Sequence, residues 1–145
     1  MLETIIGVII GLTGGIAVGI QSPLSGVMSE KVGGAASSFI IHVSGAIVSG
    51  VLLLGRGGEK IENWRILPWY MFGLGSLGVV LYLTLSYTIP KMGATSAVTL
   101  IIVGQLIMGL LLDSFGWFGL PTRPIEITRM FGVVLLLGGS YLMVK

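Results

Sequence analysis

Residues 4–21, TIIGVIIGLTGGIAVGIQ, form the first long apolar stretch of the chain. The stretch holds no charged residue and is close to the roughly 20 residues that a helix needs to cross the hydrocarbon core of a bilayer. Glycine recurs at every fourth position, at Gly7, Gly11, Gly15 and Gly19. Small residues at this spacing line one helix face and let a neighbouring helix approach closely in lipid. The stretch therefore predicts a membrane-spanning helix that packs through its glycine face.

The composition of the whole chain points the same way. Of 145 residues, 54% are hydrophobic and only 10% are charged, whereas an average soluble domain has about a quarter charged residues. The absence of cysteine excludes disulfides and thiolate metal sites. A formal charge of +2 is too small to indicate nucleic-acid binding. We expect a membrane protein without a metal, a cofactor or a nucleic-acid partner.

Five apolar stretches follow one another, at about 4–28, 33–55, 68–89, 93–112 and 128–144. They are separated by polar segments such as RGGEKIENWR (56–65) and by a tight turn expected at IPKMG (89–93). Pro23 predicts a bend or break in the first helix. Because no ten-residue alternating pattern is present, a membrane barrel is excluded. The sequence predicts an all-α membrane protein, with residues 1–145 forming a single domain of five transmembrane helices.

An odd number of spans places the termini on opposite sides of the membrane. The side of the N-terminus then carries five Lys and Arg residues and the other side carries three, a weak bias for the positive-inside rule. Two alternatives stay open, a fixed orientation with the N-terminus inside or insertion in both orientations. We favour the second, because an inverted second copy produces the inverted repeat on which many transporters rely.

Polar side chains within the spans share helix faces with small residues. His42 lies on a face with Ser38, and Tyr82 on a face with Gly78 and Ser86, by helical spacing. Such groups face protein or a cavity rather than lipid. The candidate substrate-binding residues are Gln21, Ser22, Ser25, His42, Tyr82 and Gln105. The alternative is that these groups only bond across helices, at about 1 kcal/mol each.

The middle of each predicted span lacks Asp, Glu, Lys and Arg. Such residues usually mark proton relays in membrane pumps, so coupling through a buried carboxylate is not indicated. His42 is the remaining candidate for a proton-linked switch, and the alternative is a hydrogen-bonded packing residue. No phosphate loop or catalytic triad is recognisable, so we do not expect an enzyme.

Five segments together resemble a known family. They are GIAVGIQSPLSGVM (15–28), PWYMFGLGSLGVVLY (68–82), IPKMGATSAVTLIIVGQL (89–106), LLLDSFGWFG (110–119) and RPIEITRMFGVVLLLGG (123–139). The chain is similar to the small YdcZ-type members of the drug/metabolite transporter superfamily. The match is carried by Gln21, Pro23, Trp69, Gly104, Gln105 and Asp113. The sequence departs from the family pattern at Ser25, where we expect asparagine, and at His42, where we expect an aromatic residue.

The resemblance implies a five-helix half-transporter that pairs with an inverted second copy or a paralogous chain. The expected protein is a multi-pass exporter of a small organic solute in the inner membrane. Gln21, Ser22, Ser25 and Gln105 would bond to the solute, and Tyr82 would add an aromatic wall. Asp113 is expected to cap or anchor the end of the fourth helix. The alternatives are a lipid scramblase or flippase, and a membrane subunit that does not itself transport.

Overall fold

The computed structural model describes all 145 residues, and its regular elements are all helical. The long helices are α1 (Leu2–Val32), α2 (Gly34–Gly55), α3 (Leu74–Phe115) and α4 (Ile127–Val144). Short 3-10 helices occupy Ile61–Ile66, Trp69–Gly73 and Trp117–Gly119. By length and composition, four helices are able to cross a membrane. The expectation of an all-α membrane protein is therefore confirmed.

The third and fourth predicted spans both lie within α3, which joins two helices across a kink. Helix α3 has 42 residues and includes Pro90. Its backbone leaves the helical region at Gly93, where φ is 81° and ψ is 161°. A φ in this range favours glycine, which has no Cβ to clash. The tight turn expected over residues 89–93 is thus confined to one residue, because the chain stays helical through Met92.

The chain divides into two compact units, Met1–Pro90 and Lys91–Lys145. The first unit contains α1, α2 and the first part of α3. The second contains the remainder of α3, the connecting segment and α4. The first unit contains two clusters of candidate site residues and the second contains one cavity, and each is described by itself below.

Helix α1 continues through Pro23 and ends at Val32. The helix therefore does not break at this proline, and the alternative expectation of a bend stays a prediction. Proline removes one backbone donor from the helix, but the turns after it are supported by packing, since Ser25, Gly26 and Ser29 are buried. At the helix end, the backbone N–H of Gly33 donates to the carbonyl of Ser29 at 2.8 Å.

The first two thirds of α1 are exposed, and the glycines there have open space beside them. Every residue from 1 to 21 is exposed. A Cβ added at Gly7, Gly11, Gly15 or Gly19 would meet no atom within 4 Å. The predicted packing face of α1 is therefore available to lipid or to another protein chain.

Large apolar side chains point outward over most of the molecule. Leu85 and Ala97 are the buried hydrophobic residues, while the other buried positions are mainly serine and glycine. This distribution is the reverse of that in a soluble protein, which buries its large aliphatic side chains. It suits a chain whose surroundings are lipid.

Candidate functional site

Buried serines form a seam along α1 and α2 in the first unit. The hydroxyl of Ser25 donates to the carbonyl of Ser22 at 2.7 Å, within α1. The hydroxyl of Ser37 on α2 reaches across to the carbonyl of Ser25 at 3.3 Å. Ser22 and Ser25 are only 5% and 3% exposed, whereas the neighbouring Gln21 is exposed. A solute could reach the two predicted serines only if the seam opened, so their binding role stays a prediction.

A second cluster in the first unit joins α2 to α3, and we call it the histidine cluster: Ser38, His42, Gly78 and Tyr82. Nδ1 of His42 lies 2.7 Å from the carbonyl oxygen of Ser38. The rings of His42 and Tyr82 meet edge to face, with centroids 5.4 Å apart and planes at 85°. The two helix faces predicted separately from sequence are thus in contact.

Nδ1 of His42 faces two groups of Ser38, the carbonyl oxygen at 2.7 Å and the hydroxyl oxygen at 3.3 Å. In the neutral tautomer with its hydrogen on Nδ1, the ring donates to the carbonyl and Nε2 keeps a lone pair. Nε2 faces Gly78, where an added Cβ would lie only 2.5 Å away. The ring fits because glycine has no side chain at this point. Within the first unit, the structure brings together two pairs of predicted site residues, Ser22 with Ser25 on α1 and His42 with Tyr82 across α2 and α3.

Gly34 and Gly26 also permit close approaches to α3 within the first unit. A Cβ at Gly34 would lie 2.6 Å from the hydroxyl oxygen of Ser86. A Cβ at Gly26 would lie 2.9 Å from Cγ2 of Ile89. At these positions and at Gly78, an added side chain in the first unit would force a neighbour to shift. The tandem repeat in the first part of α1 has no such neighbour.

The second unit contains a cavity of about 370 Å³ between the later part of α3 and α4, within the range of small-molecule sites. Its polar side chains are Gln105, Asp113 and Arg129, and we call it the polar groove. The remaining wall is apolar or glycine: Leu106, Gly109, Leu110, Gly132, Val133 and Leu136. Of the predicted site residues, Gln105 lines this cavity.

Two of the residues that line the polar groove form an ion pair. Nη1 of Arg129, near the start of α4, donates to Oδ2 of Asp113 at 3.1 Å. The side chains of Arg129 and Asp113 are 38% and 43% exposed. The carbonyl of Asp113 also accepts the backbone N–H of Arg123 at 2.8 Å. Asp113 therefore ties the end of α3 to both the connecting segment and α4, as an anchoring residue should.

Sequence reasoning missed Arg129 as a site residue. The available signal was its position, because Arg129 begins the last apolar stretch and Asp113 follows the preceding one. A pairing between them becomes visible only when the two stretches are taken to lie side by side.

An all-helical chain with four long apolar helices and outward-facing aliphatic side chains is a polytopic membrane protein. The model of the DMT_YdcZ family, described as "Putative inner membrane exporter, YdcZ", matches residues 6–142. The chain belongs to this family and is a multi-pass protein of the inner membrane, as the sequence resemblance implied. No curated protein and no solved structure matches it.

Proposed function

We propose that the chain exports a small organic solute across the inner membrane by alternating access. The observation that carries the proposal is the polar groove. Three polar side chains, Gln105, Asp113 and Arg129, line an otherwise apolar cavity of about 370 Å³. Ligand sites in proteins combine an apolar wall with a few polar groups that orient the ligand. The family description as an inner membrane exporter supports movement of that ligand across the membrane.

We propose further that α3 crosses the membrane twice, so that each chain has five spans. A straight helix of 42 residues would measure about 63 Å, roughly twice the hydrocarbon thickness. A single crossing would place Lys91, near the middle of the element, deep in the hydrocarbon, where a charge is costly. Two crossings that meet at Gly93 place this lysine at the membrane surface.

The working unit in this proposal is an antiparallel dimer of the chain with itself or with a paralogue. Five spans place the two termini on opposite sides, so an inverted copy supplies the second half of an inverted repeat. The uncovered glycine face of α1, with open space at Gly7, Gly11, Gly15 and Gly19, is available for that contact. Gln21 is exposed on the same helix and would reach the solute pathway from the partner chain.

Export can be tested in cells that express the chain, by mass spectrometry of small solutes in the medium. We expect a set of solutes to accumulate in the medium of cells that express the wild type. Their concentrations should be lower with Gln105→Leu, which removes the amide from the groove. Gly75→Ala is the matched control, because a Cβ there meets no atom within 4 Å. Identical solute profiles for wild type, Gln105→Leu and untransformed cells would contradict the proposal.

A further inference from the structure

We infer that the polar groove recognises an elongated zwitterion, with an ammonium and an acidic group at one end of an apolar body. The inference rests on the proposed function, since it takes the groove to be the site of the transported solute. It concerns the charges at Asp113 and Arg129, which the family membership does not assign.

The charges of the groove favour a ligand that carries both signs. Asp113 and Arg129 are the charged residues in its lining, and both remain about two fifths exposed. An ion pair this exposed contributes little to stability, so a ligand can separate its members at low cost. A purely anionic or cationic ligand would satisfy one member and leave the other without its partner. A zwitterion supplies a counter-charge to each.

The length and lining of the groove indicate the shape and polarity of the uncharged part of the ligand. Gln105 precedes Asp113 by eight residues on the same helix, a separation of about 12 Å along its axis. The wall between them is apolar, and neither Gly109 nor Gly132 fills it with a side chain. The ligand therefore has its two charges beside Asp113 and Arg129 and a mainly apolar body that extends toward Gln105.

The two glycines also provide a way to narrow the groove, since both line it. A Cβ at Gly109 or Gly132 would meet no atom within 4 Å. We therefore use a leucine at Gly132 to reduce the space available to a ligand. This variant tests occupancy of the groove separately from its charges.

The experiment compares three ligands that share one six-carbon side chain. They are 2-aminooctanoic acid, a zwitterion; its N-acetyl derivative, an anion; and its primary amide, a cation. Binding to the purified full-length protein in phosphatidylcholine nanodiscs is measured by calorimetry. We expect the wild type to bind the zwitterion about tenfold more tightly than either derivative, the difference made by one charged hydrogen bond. Gly132→Leu should abolish binding of all three.

Removing one charge of the ion pair at a time should change which ligand binds most tightly, and the two removals should favour ligands of opposite charge. Asp113→Asn leaves the guanidinium, so the N-acetyl acid should become the tightest ligand. Arg129→Gln leaves the carboxylate, so the amide should become the tightest ligand. Gly75→Ala should keep the wild-type order, because it lies outside the groove and has open space around it.

Three results would overturn the inference. One is an equal affinity of the wild type for the three ligands, or no affinity for any. Another is an equal loss of affinity for all three ligands in both charge variants, which would show that the ion pair has only a structural role. The third is loss of binding when phosphatidylethanolamine replaces phosphatidylcholine, which would identify the groove as a lipid site. Charge-selective binding without flux in vesicles would instead overturn the proposed export and leave the inference standing.

Discussion

Gly78→Ala tests the geometry of the histidine cluster. The added Cβ would lie 2.5 Å from Nε2 of His42, whereas ordinary van der Waals contact begins at 3.4 Å. The ring must therefore retreat by nearly 1 Å. It is not free to do so, because Nδ1 is bonded to the carbonyl of Ser38 at 2.7 Å and Tyr82 packs against the ring. Overpacking of this kind costs about 1–3 kcal/mol.

The control is Gly75→Ala, one turn earlier on α3. A Cβ at Gly75 meets no atom within 4 Å, so this variant reports only the higher helix propensity of alanine, worth up to about 1 kcal/mol. Reversible unfolding in mixed micelles gives the free energy of unfolding of each variant. We expect Gly78→Ala to be less stable than Gly75→Ala by about 1–3 kcal/mol.

A double-mutant cycle with His42→Ala identifies the cause. Once the ring is absent, Gly78→Ala should cost no more than Gly75→Ala, which gives a coupling energy of about 1–3 kcal/mol between positions 42 and 78. Equal stability of the two alanine variants would refute the described packing. So would a penalty at position 78 that persists without the histidine.

Three further predictions concern other contacts. Gly26→Ala should destabilise the fold by about 1 kcal/mol, since its Cβ would lie 2.9 Å from Ile89; an undiminished penalty in an Ile89→Ala background would contradict this cause. Pro23→Ala should raise the free energy of unfolding by up to about 3 kcal/mol, because α1 is already continuous there; a decrease would show that the proline itself supports the fold. Asp113→Asn should cost less than about 1 kcal/mol in thermal unfolding, since its bridge to Arg129 is partly exposed; a larger cost that salt leaves unchanged would contradict this estimate.

Periodicity in the sequence predicted the faces of the histidine cluster correctly. Ser38 and His42 are four residues apart on α2, and Gly78 and Tyr82 are four apart on α3. Residues at this spacing share a helix face, so each half could be derived from its own segment. Helical spacing carries no information about which faces meet, and the structure supplied that contact.

The glycines show where the sequence pattern is insufficient. The tandem from Gly7 to Gly19 was the most regular small-residue repeat, yet none of its members has a neighbour within the chain. The close approaches occur at Gly26, Gly34, Gly78 and Gly116, which belong to no tandem. A glycine repeat indicates that a helix face carries only small residues and permits close approach. Which helix packs against that face is determined by tertiary or quaternary packing.

The set of residues that line the groove and the number of helices also depend on tertiary structure, which the sequence pattern does not give. Gln105 and Asp113 were recognised on one helix, but Arg129 comes from α4 and is brought to them by the fold. The boundary near residue 93 was predicted as a tight turn over residues 89–93, a segment that contains Pro90 and Gly93. Pro90 proved compatible with the helix, and the irregular backbone is confined to Gly93.

The most direct test of the account is flux through the purified protein. Liposomes that contain the protein and a mixture of small polar and zwitterionic metabolites are incubated, and the solutes released are identified by mass spectrometry. A fluorescent lipid in the same vesicles reports scrambling between leaflets. The account predicts selective release of a subset of solutes, reduced by Gln105→Leu and retained by Gly75→Ala, without lipid scrambling. Scrambling without solute release would identify a lipid-handling protein, and the absence of both would identify a subunit that does not transport; either result would contradict the proposed export.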